Sequence, residues 1–503
     1  MNTTNTVNGK HRRIYRIFLW MILFLSVGTI CAIMIVDIYQ TVPDKIYLKA
    51  GEESEISFHV PLSGEIIMTA GGGRRTKQVL NDLEGQGNTS GGISGIDSVT
   101  GEAEQSQAES GIAGGGYSDS VRTVGDGVAG ASETGEGTVY ADVSEADTES
   151  IIGRVPVNLS ANVTFVANAE NSYRAELRLF GIIPFKTVQI EVIDESMVYP
   201  AGLPIGIYVK TPGVLVIGTS DFIDEQGNPA MPAEHVLRVG DYILTVNGTP
   251  VTGKSDFVSR VAQSGGQVMV MTIERGGEQF DVAVRPVRDQ DREYKIGIWI
   301  KDSAQGIGTL TYVDADGEFG ALGHSVSDSD IGVTLELGEG ALYRTDIIGI
   351  TKGRRGVPGE LTGIIRYTDS NCLGSVTENS ASGIHGEVNR KLMEQIAADP
   401  IEIGLKQEVS IGPAQIYCNI DGEAKYYDIE ITDLDYDSQN INKGITIQVT
   451  DRRLIALTGG IVQGMSGSPI IQNGRLVGAV THVLVNDATR GYGIFIEEML
   501  GRS

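Results

Sequence analysis

The chain has little cysteine, little aromatic side chain and little positive charge. Its three cysteines in 503 residues are Cys31, Cys372 and Cys418. The last two could pair, but two cysteines make no disulfide framework. No C-x-x-C and no H-E-x-x-H occurs, so a structural or catalytic zinc site has no support. Neither a metal nor an organic cofactor is implied. Lysine and arginine number 39 against 65 aspartates and glutamates, a formal net charge of -26. Such an acidic chain repels phosphate backbones, which disfavours a nucleic-acid partner. Aromatics make up 6% of the residues while glycines number 66, which points to β-rich folds with many turns, to a flexible segment, or to both. Long apolar runs are scarce as well: there is one.

That run is "IFLWMILFLSVGTICAIMIV", residues 17–36, twenty residues without a charge. As a helix it is long enough to cross a hydrocarbon core of roughly 30 Å. The basic stretch "KHRRIYR" precedes it and Asp37 follows. The positive-inside rule then places a basic tail, 1–16, in the cytoplasm and the rest of the chain across the membrane. A cleavable signal peptide is the competing reading, but Ile30-Cys31-Ala32 is a poor small-residue cleavage site. The expected protein is therefore single-pass, anchored through 17–36.

Beyond the anchor the composition divides the chain. Residues 40–70 and 151–195 read as strands of one small β domain. Between them, 71–150 is rich in Gly, Ser, Glu, Asp and Thr without apolar periodicity, and is expected to be a disordered insertion. Residues 196–288 resemble a PDZ domain, through the G-L-P-I-G-I stretch from Gly202 and the L-x-x-G-D-x-I-L-x-V-N-G run from Leu237 to Gly248. Within that run Asn247-Gly248 is a turn that needs positive φ. The PDZ resemblance implies an extended peptide added as a strand, with Leu203, Pro204, Ile205 and Gly206 receiving its terminal carboxylate. From 291 to 503, short apolar runs separated by Gly, Asn and Asp predict an all-β barrel or sandwich with one helix, Glu387 to Ile396.

The chemistry concentrates in G-M-S-G-S-P, Gly464 to Pro469. A serine hydrolase needs an unencumbered serine, a histidine to take its proton, an acid to orient that histidine, and oxyanion donors. Glycines on both sides of Ser466 let the backbone turn, so that the amides of Gly464 and Ser466 can act as donors. The sequence that follows, "PIIQNGRLVGAV", reads strand, Asn-Gly turn, strand. It lacks the strand and helix that surround an α/β-hydrolase elbow and fits a chymotrypsin-like double barrel. In such barrels the base precedes the serine by a full barrel. His324, in "FGALGHSVSD", satisfies that order; His385 is a weaker candidate. His482 comes too late in the chain to be the base. Thr481 and His482 lie on a strand that would pair with substrate backbone.

The anchor, the β region, the PDZ block, "GALGHSVSD" and "TDRRLIALTGGIVQGMSGSPIIQNGRLVGAVTHV" together resemble the SpoIVB (stage IV sporulation protein B) family of serine peptidases. PDZ before peptidase is the reverse of the HtrA order. The resemblance implies Ser466 as nucleophile, His324 as base and Asp451 as acid. From spacing alone Asp451 lies unusually close ahead of the serine, and Asp346, Asp328, Asp330 and Asp433 stay open. The resemblance also implies self-cleavage and cleavage of a regulatory membrane protein in the forespore intermembrane space. That cut releases an intramembrane protease that activates sigma-K, while the PDZ domain engages targets that include the chain's own N-terminal region. The rivals are a non-catalytic membrane-anchored PDZ adaptor and a general extracytoplasmic quality-control protease.

Overall fold

The computed structural model describes residues 42–50, 53–58, 60, 63–70, 138–141, 151–167, 172–193, 197–396, 398–436 and 440–500, with 20, 21, 29 and 39. Apart from residues 20, 21 and 29, the expected span 17–36 lies outside the described residues, as do the tail 1–16 and most of 71–150. Among the described residues no helix is long and apolar enough to cross a membrane. The chain forms two units, 1–193 and 194–503.

From residue 42 on, the described secondary structure of the first unit is β-strand. Strands Ser63–Ala70, Ile151–Asn158, Ser172–Leu179 and Ile183–Ile193 pair antiparallel in one sheet, and Lys45–Lys49 joins its edge parallel to the last of them. The two stretches on either side of the insertion thus form one sheet, over a core that includes Phe58, Ile66, Phe165 and Leu177. Alternation sets this register: in Ser172–Leu179, Tyr173, Ala175 and Leu177 are buried while Arg174 is exposed. Thr138–Ala141, within the segment expected to be disordered, is a strand paired parallel to 164–167.

The second unit opens on a 23-residue strand, β1 (Met197–Thr219). Next come β2 (Tyr242–Val246), helix α1 (Lys254–Gln263), β3 (Met269–Arg275) and β4 (Glu278–Val284). These elements and the end of β1 enclose a core of Val214, Val216, Ile243, Phe257, Val261 and Met271. Asn247 and Gly248 take φ of 51° and 74°, as their turn requires. A 16-residue strand, β5 (Ile298–Val313), returns along the whole of β1, pairing Ile298 with Thr219 at one end and Val313 with Tyr199 at the other.

The first half of β1 does not belong to the PDZ fold. Residues 205–210 pair with β5 on one edge and with β7 (Glu339–Thr351) on the other. Pairing continues from β5 through β6 (Glu318–Ala321), β10 (Gly383–Val388) and β9 (Cys372–Ser380) to β7 and back to β1. This ring of six strands closes around Ile205, Ile207, Val209, Leu310, Phe319 and Ile384. One strand of the ring thus comes from before the PDZ fold and the other five from after it. One correction follows: Leu203, Pro204, Ile205 and Gly206 form no carboxylate loop, because strand pairing to β5 occupies all four. An apolar strand next to "GVLVIG" carries no local mark of which sheet it will join. The expected helix from Glu387 is also shorter, Arg390–Met393, since Glu387 and Val388 finish β10.

A second ring is a closed barrel of β11 (Gly412–Asn419), β12 (Ala424–Leu434), β13 (Ile445–Val449), β16 (Asp487–Phe495), β15 (Arg475–Leu484) and β14 (Pro469–Gln472). Helix α2 (Arg452–Thr458) leads from β13 to the loop that carries Ser466. Cys372 and Cys418 are free thiols.

Candidate active site

The serine turn is built from its own residues. Met465 N–H donates to Val462 O at 3.1 Å, and Ser468 donates to Met465 O from both its amide, at 2.9 Å, and its hydroxyl, at 2.7 Å. Gly464 and Gly467 have φ of 99° and 95°, conformations that favour glycine. At Gly467 a side chain is excluded twice over, because a Cβ would run into the carbonyl of Thr309. The first ring then braces the turn. Thr309 N–H donates to Ser466 O at 2.9 Å, Thr309 Oγ1 to Gly464 O at 2.8 Å and Thr311 Oγ1 to Gly467 O at 2.8 Å. The amides of Gly464 and Ser466 donate no hydrogen bond among the described residues. That is the condition in which two donors can receive a developing oxyanion.

Ser466 and His324 line one cavity of about 680 Å³, with Gly464, Thr481 and His482. His324 follows β6 on a loop held from several directions. Asn379 receives a bond from Val326 N–H at 2.8 Å and donates to Val326 O at 2.9 Å and Leu335 O at 2.8 Å. Asn442 donates to Gly323 O at 2.5 Å and to Ala381 O at 2.7 Å. Lys301 on β5 pairs with Asp328 at 2.7 Å and Asp330 at 2.6 Å. His324 Nδ1 donates to Ser325 O at 2.9 Å, which leaves Nε2 as the acceptor. Burial pushes the His324 pKa below the ordinary histidine value. The ring is therefore neutral at neutral pH, as a base must be.

The nucleophile and base share the cavity without a mutual hydrogen bond. Ser466 Oγ donates instead to the carbonyl of Thr481 at 2.7 Å. Thr481 and His482 lie on β15, where the sequence placed a substrate strand. The side chain of Thr481 is buried and donates to Asn442 O at 2.6 Å. The ring of His482 lies 5.0 Å from that of His324, centroid to centroid. Partial enclosure, with repulsion from His324 and Lys443, pushes its pKa down to about 4.

Asp451 is not brought to His324. It caps α2, accepting from Arg453 N–H at 2.7 Å, and its carboxylate pairs with the Arg453 guanidinium at 2.6 Å. Those bonds overcome its burial and hold the carboxyl at about 2. Of the alternatives, Asp346 pairs with Arg366 at 2.8 Å and Asp433 lies exposed on β12. Asp328 lines the cavity, but its carboxylate is engaged by Lys301. His385 is buried within β10. Thr309, Thr311, Asn379 and Asn442 escaped the sequence reading. In "IGTLTYV" two threonines one residue apart signal only a strand, and lone asparagines mark ordinary turns.

A serine turn with open amides and a neutral imidazole in one cavity, beside a PDZ fold, define a PDZ-containing serine peptidase. Residues 223–275 match the model of the PDZ domain. Residues 292–500 match the model of the SpoIVB peptidase S55 family. No curated protein sequence matches the chain. Among solved structures, the active form of the Rv3671c protease from M. tuberculosis is 15% identical, with 39% of this chain and 72% of that one covered and a TM-score of 0.24. Its inactive form is 14% identical, with 39% and 81% covered and a TM-score of 0.23. The PDZ domain of an SdrC-like protein from Listeria monocytogenes is 21% identical, with 18% and 87% covered and a TM-score of 0.16.

Proposed function

We propose that this peptidase is a sporulation signalling endopeptidase. It cleaves itself and then a membrane-associated regulatory protein, and the second cut releases an intramembrane protease that activates sigma-K. The observation that carries this reading is the match of residues 292–500 to the SpoIVB peptidase model. Anchoring through 17–36, an extracytoplasmic catalytic part in the forespore intermembrane space, and PDZ engagement of the chain's own N-terminal region belong to the same proposal.

In the reaction Ser466 attacks the substrate carbonyl after its hydroxyl leaves Thr481 O for His324 Nε2. The imidazole takes the proton and returns it to the leaving amine, and the amides of Gly464 and Ser466 hold the oxyanion. The backbone at Thr481 and His482 pairs with the substrate strand. Asp451 as acid rests on the family resemblance, and that role requires its carboxylate to leave Arg453 for His324. An Asp451→Asn variant with normal activity removes it from the triad. The full chain and its Ser466→Ala form, expressed side by side in membranes, test the function. Self-processing of the first and not the second is expected. Identical, uncleaved behaviour favours the PDZ adaptor, and indiscriminate cleavage of unfolded proteins favours quality control.

A further inference from the structure

The strongest unassigned feature is the pair of imidazoles at the cavity, His324 and His482, 5.0 Å apart between ring centroids. His482 makes no hydrogen bond among the described residues, and His324 uses only Nδ1. Both rings line a cavity open to solvent. Zinc binds neutral imidazole nitrogen at about 2.0–2.1 Å in tetrahedral geometry, and two rings sharing one such ion have centroids on the order of 5 Å apart. The observed centroid spacing is of that size.

We propose that His324 and His482 form a two-histidine site for a soft divalent cation such as Zn²⁺, and that its occupation switches the peptidase off. The inhibitory half rests on reading His324 as the base. The ion takes the Nε2 lone pair that would accept the Ser466 proton, so base and metal compete for one atom. The depressed pKa of each ring keeps it ready to ligate at neutral pH. The charged neighbours act in opposite senses: Lys443 repels a cation at His482, while Asp328, on the same cavity, attracts one even though Lys301 holds it. Among the described residues no cluster of three or more His, Cys, Asp or Glu is placed to hold a metal. Two protein ligands with solvent completing the shell suit a reversible inhibitor rather than a resident ion.

The test titrates the full-length Ser466→Ala chain with Zn²⁺ by calorimetry and with Co²⁺ by its visible absorption, beside its His324→Gln and His482→Gln derivatives. His235→Gln serves as control, because His235 is exposed on the PDZ fold. One tight site is expected, weakened at least about tenfold by either cavity substitution, the lower bound for disturbing even an outer-shell partner, and unchanged by His235→Gln. Circular dichroism of each variant excludes misfolding as the cause. No binding, or binding indifferent to both cavity histidines, overturns the site. In the Ser466 chain, Zn²⁺ should block cleavage at the concentration that fills the site, and full cleavage by the zinc-loaded chain overturns the switch. An intact zinc site in a chain that never cleaves would sink the peptidase reading and leave the site standing.

Discussion

The two rings of the peptidase hold their candidate catalytic residues in different ways. The second ring presents Ser466 on a turn shaped by its own bonds between Val462 and Ser468 and by its glycines, with further bonds from Thr309 and Thr311. The first ring presents His324 on a loop with little local structure of its own. That loop is fixed by Asn379, by Asn442 and by Lys301, at sequence distances from 27 to 119 residues. The serine turn has local bonds of its own to which distant ones are added, whereas the histidine loop is held mainly by distant ones. Strand β5 connects the two systems. Its Thr309 and Thr311 brace the serine turn, and its Lys301 ties down the histidine loop.

The comparison breaks first at the nucleophile. Ser466→Ala should lower cleavage by roughly 10⁴-fold or more with the fold intact, since the other members of such a site do little without it. Peptide turnover and a urea melt read the two effects. Thr309→Val comes next. It leaves the carbonyl of Gly464 without its bond in a part-buried setting, an expected loss of about 1 kcal/mol of stability and a lower kcat. Because it disturbs the serine side only, the acid limb of the pH profile should stay where it is. Asn379→Ala makes the opposite test. It cuts three bonds to the histidine loop, lets water reach His324, and should move that limb upward. The sign follows from the cause. Burial now depresses the His324 pKa, so the neutral base persists below the ordinary value of 6.5, and re-solvation brings the limb back toward 6.5. An unmoved limb in Asn379→Ala would mean that the loop needs no distant support.

This contrast also explains what was legible in the sequence. Ser466, the Asn247-Gly248 turn and the β class are local statements, made by glycine placement and two-residue alternation. His324 is a candidate through its order relative to the serine, not through its surroundings. The place of β1 in the first ring was illegible, because "GLPIGIYVK" is an equally good strand for either domain. Only long-range pairing of residues 205–210 with β5 and β7 decides which. Asn379 and Asn442 were illegible for the same reason: each acts across more than forty residues on backbone atoms, which leave no trace in side-chain identity.

The smallest expected effect concerns α2, the element that delivers the chain to the serine turn. Asp451 caps it and pairs with Arg453, whose own side chain is 66% exposed. Solvent screens such a pair, so Asp451→Ala should cost about 1 kcal/mol, most of it the lost cap. The Asp451 carboxyl sits at about 2 in the folded chain, below its unfolded value near 3.8. A depressed carboxylate stabilises fully above the unfolded value, and its contribution is lost as pH falls from about 4 through about 2. The stability gap between the native chain and Asp451→Ala should therefore be constant from neutral pH to about 4 and shrink below it. Urea melts across that range measure it. A gap that stays the same at pH 2 would place the effect in helix packing rather than in the charge of Asp451.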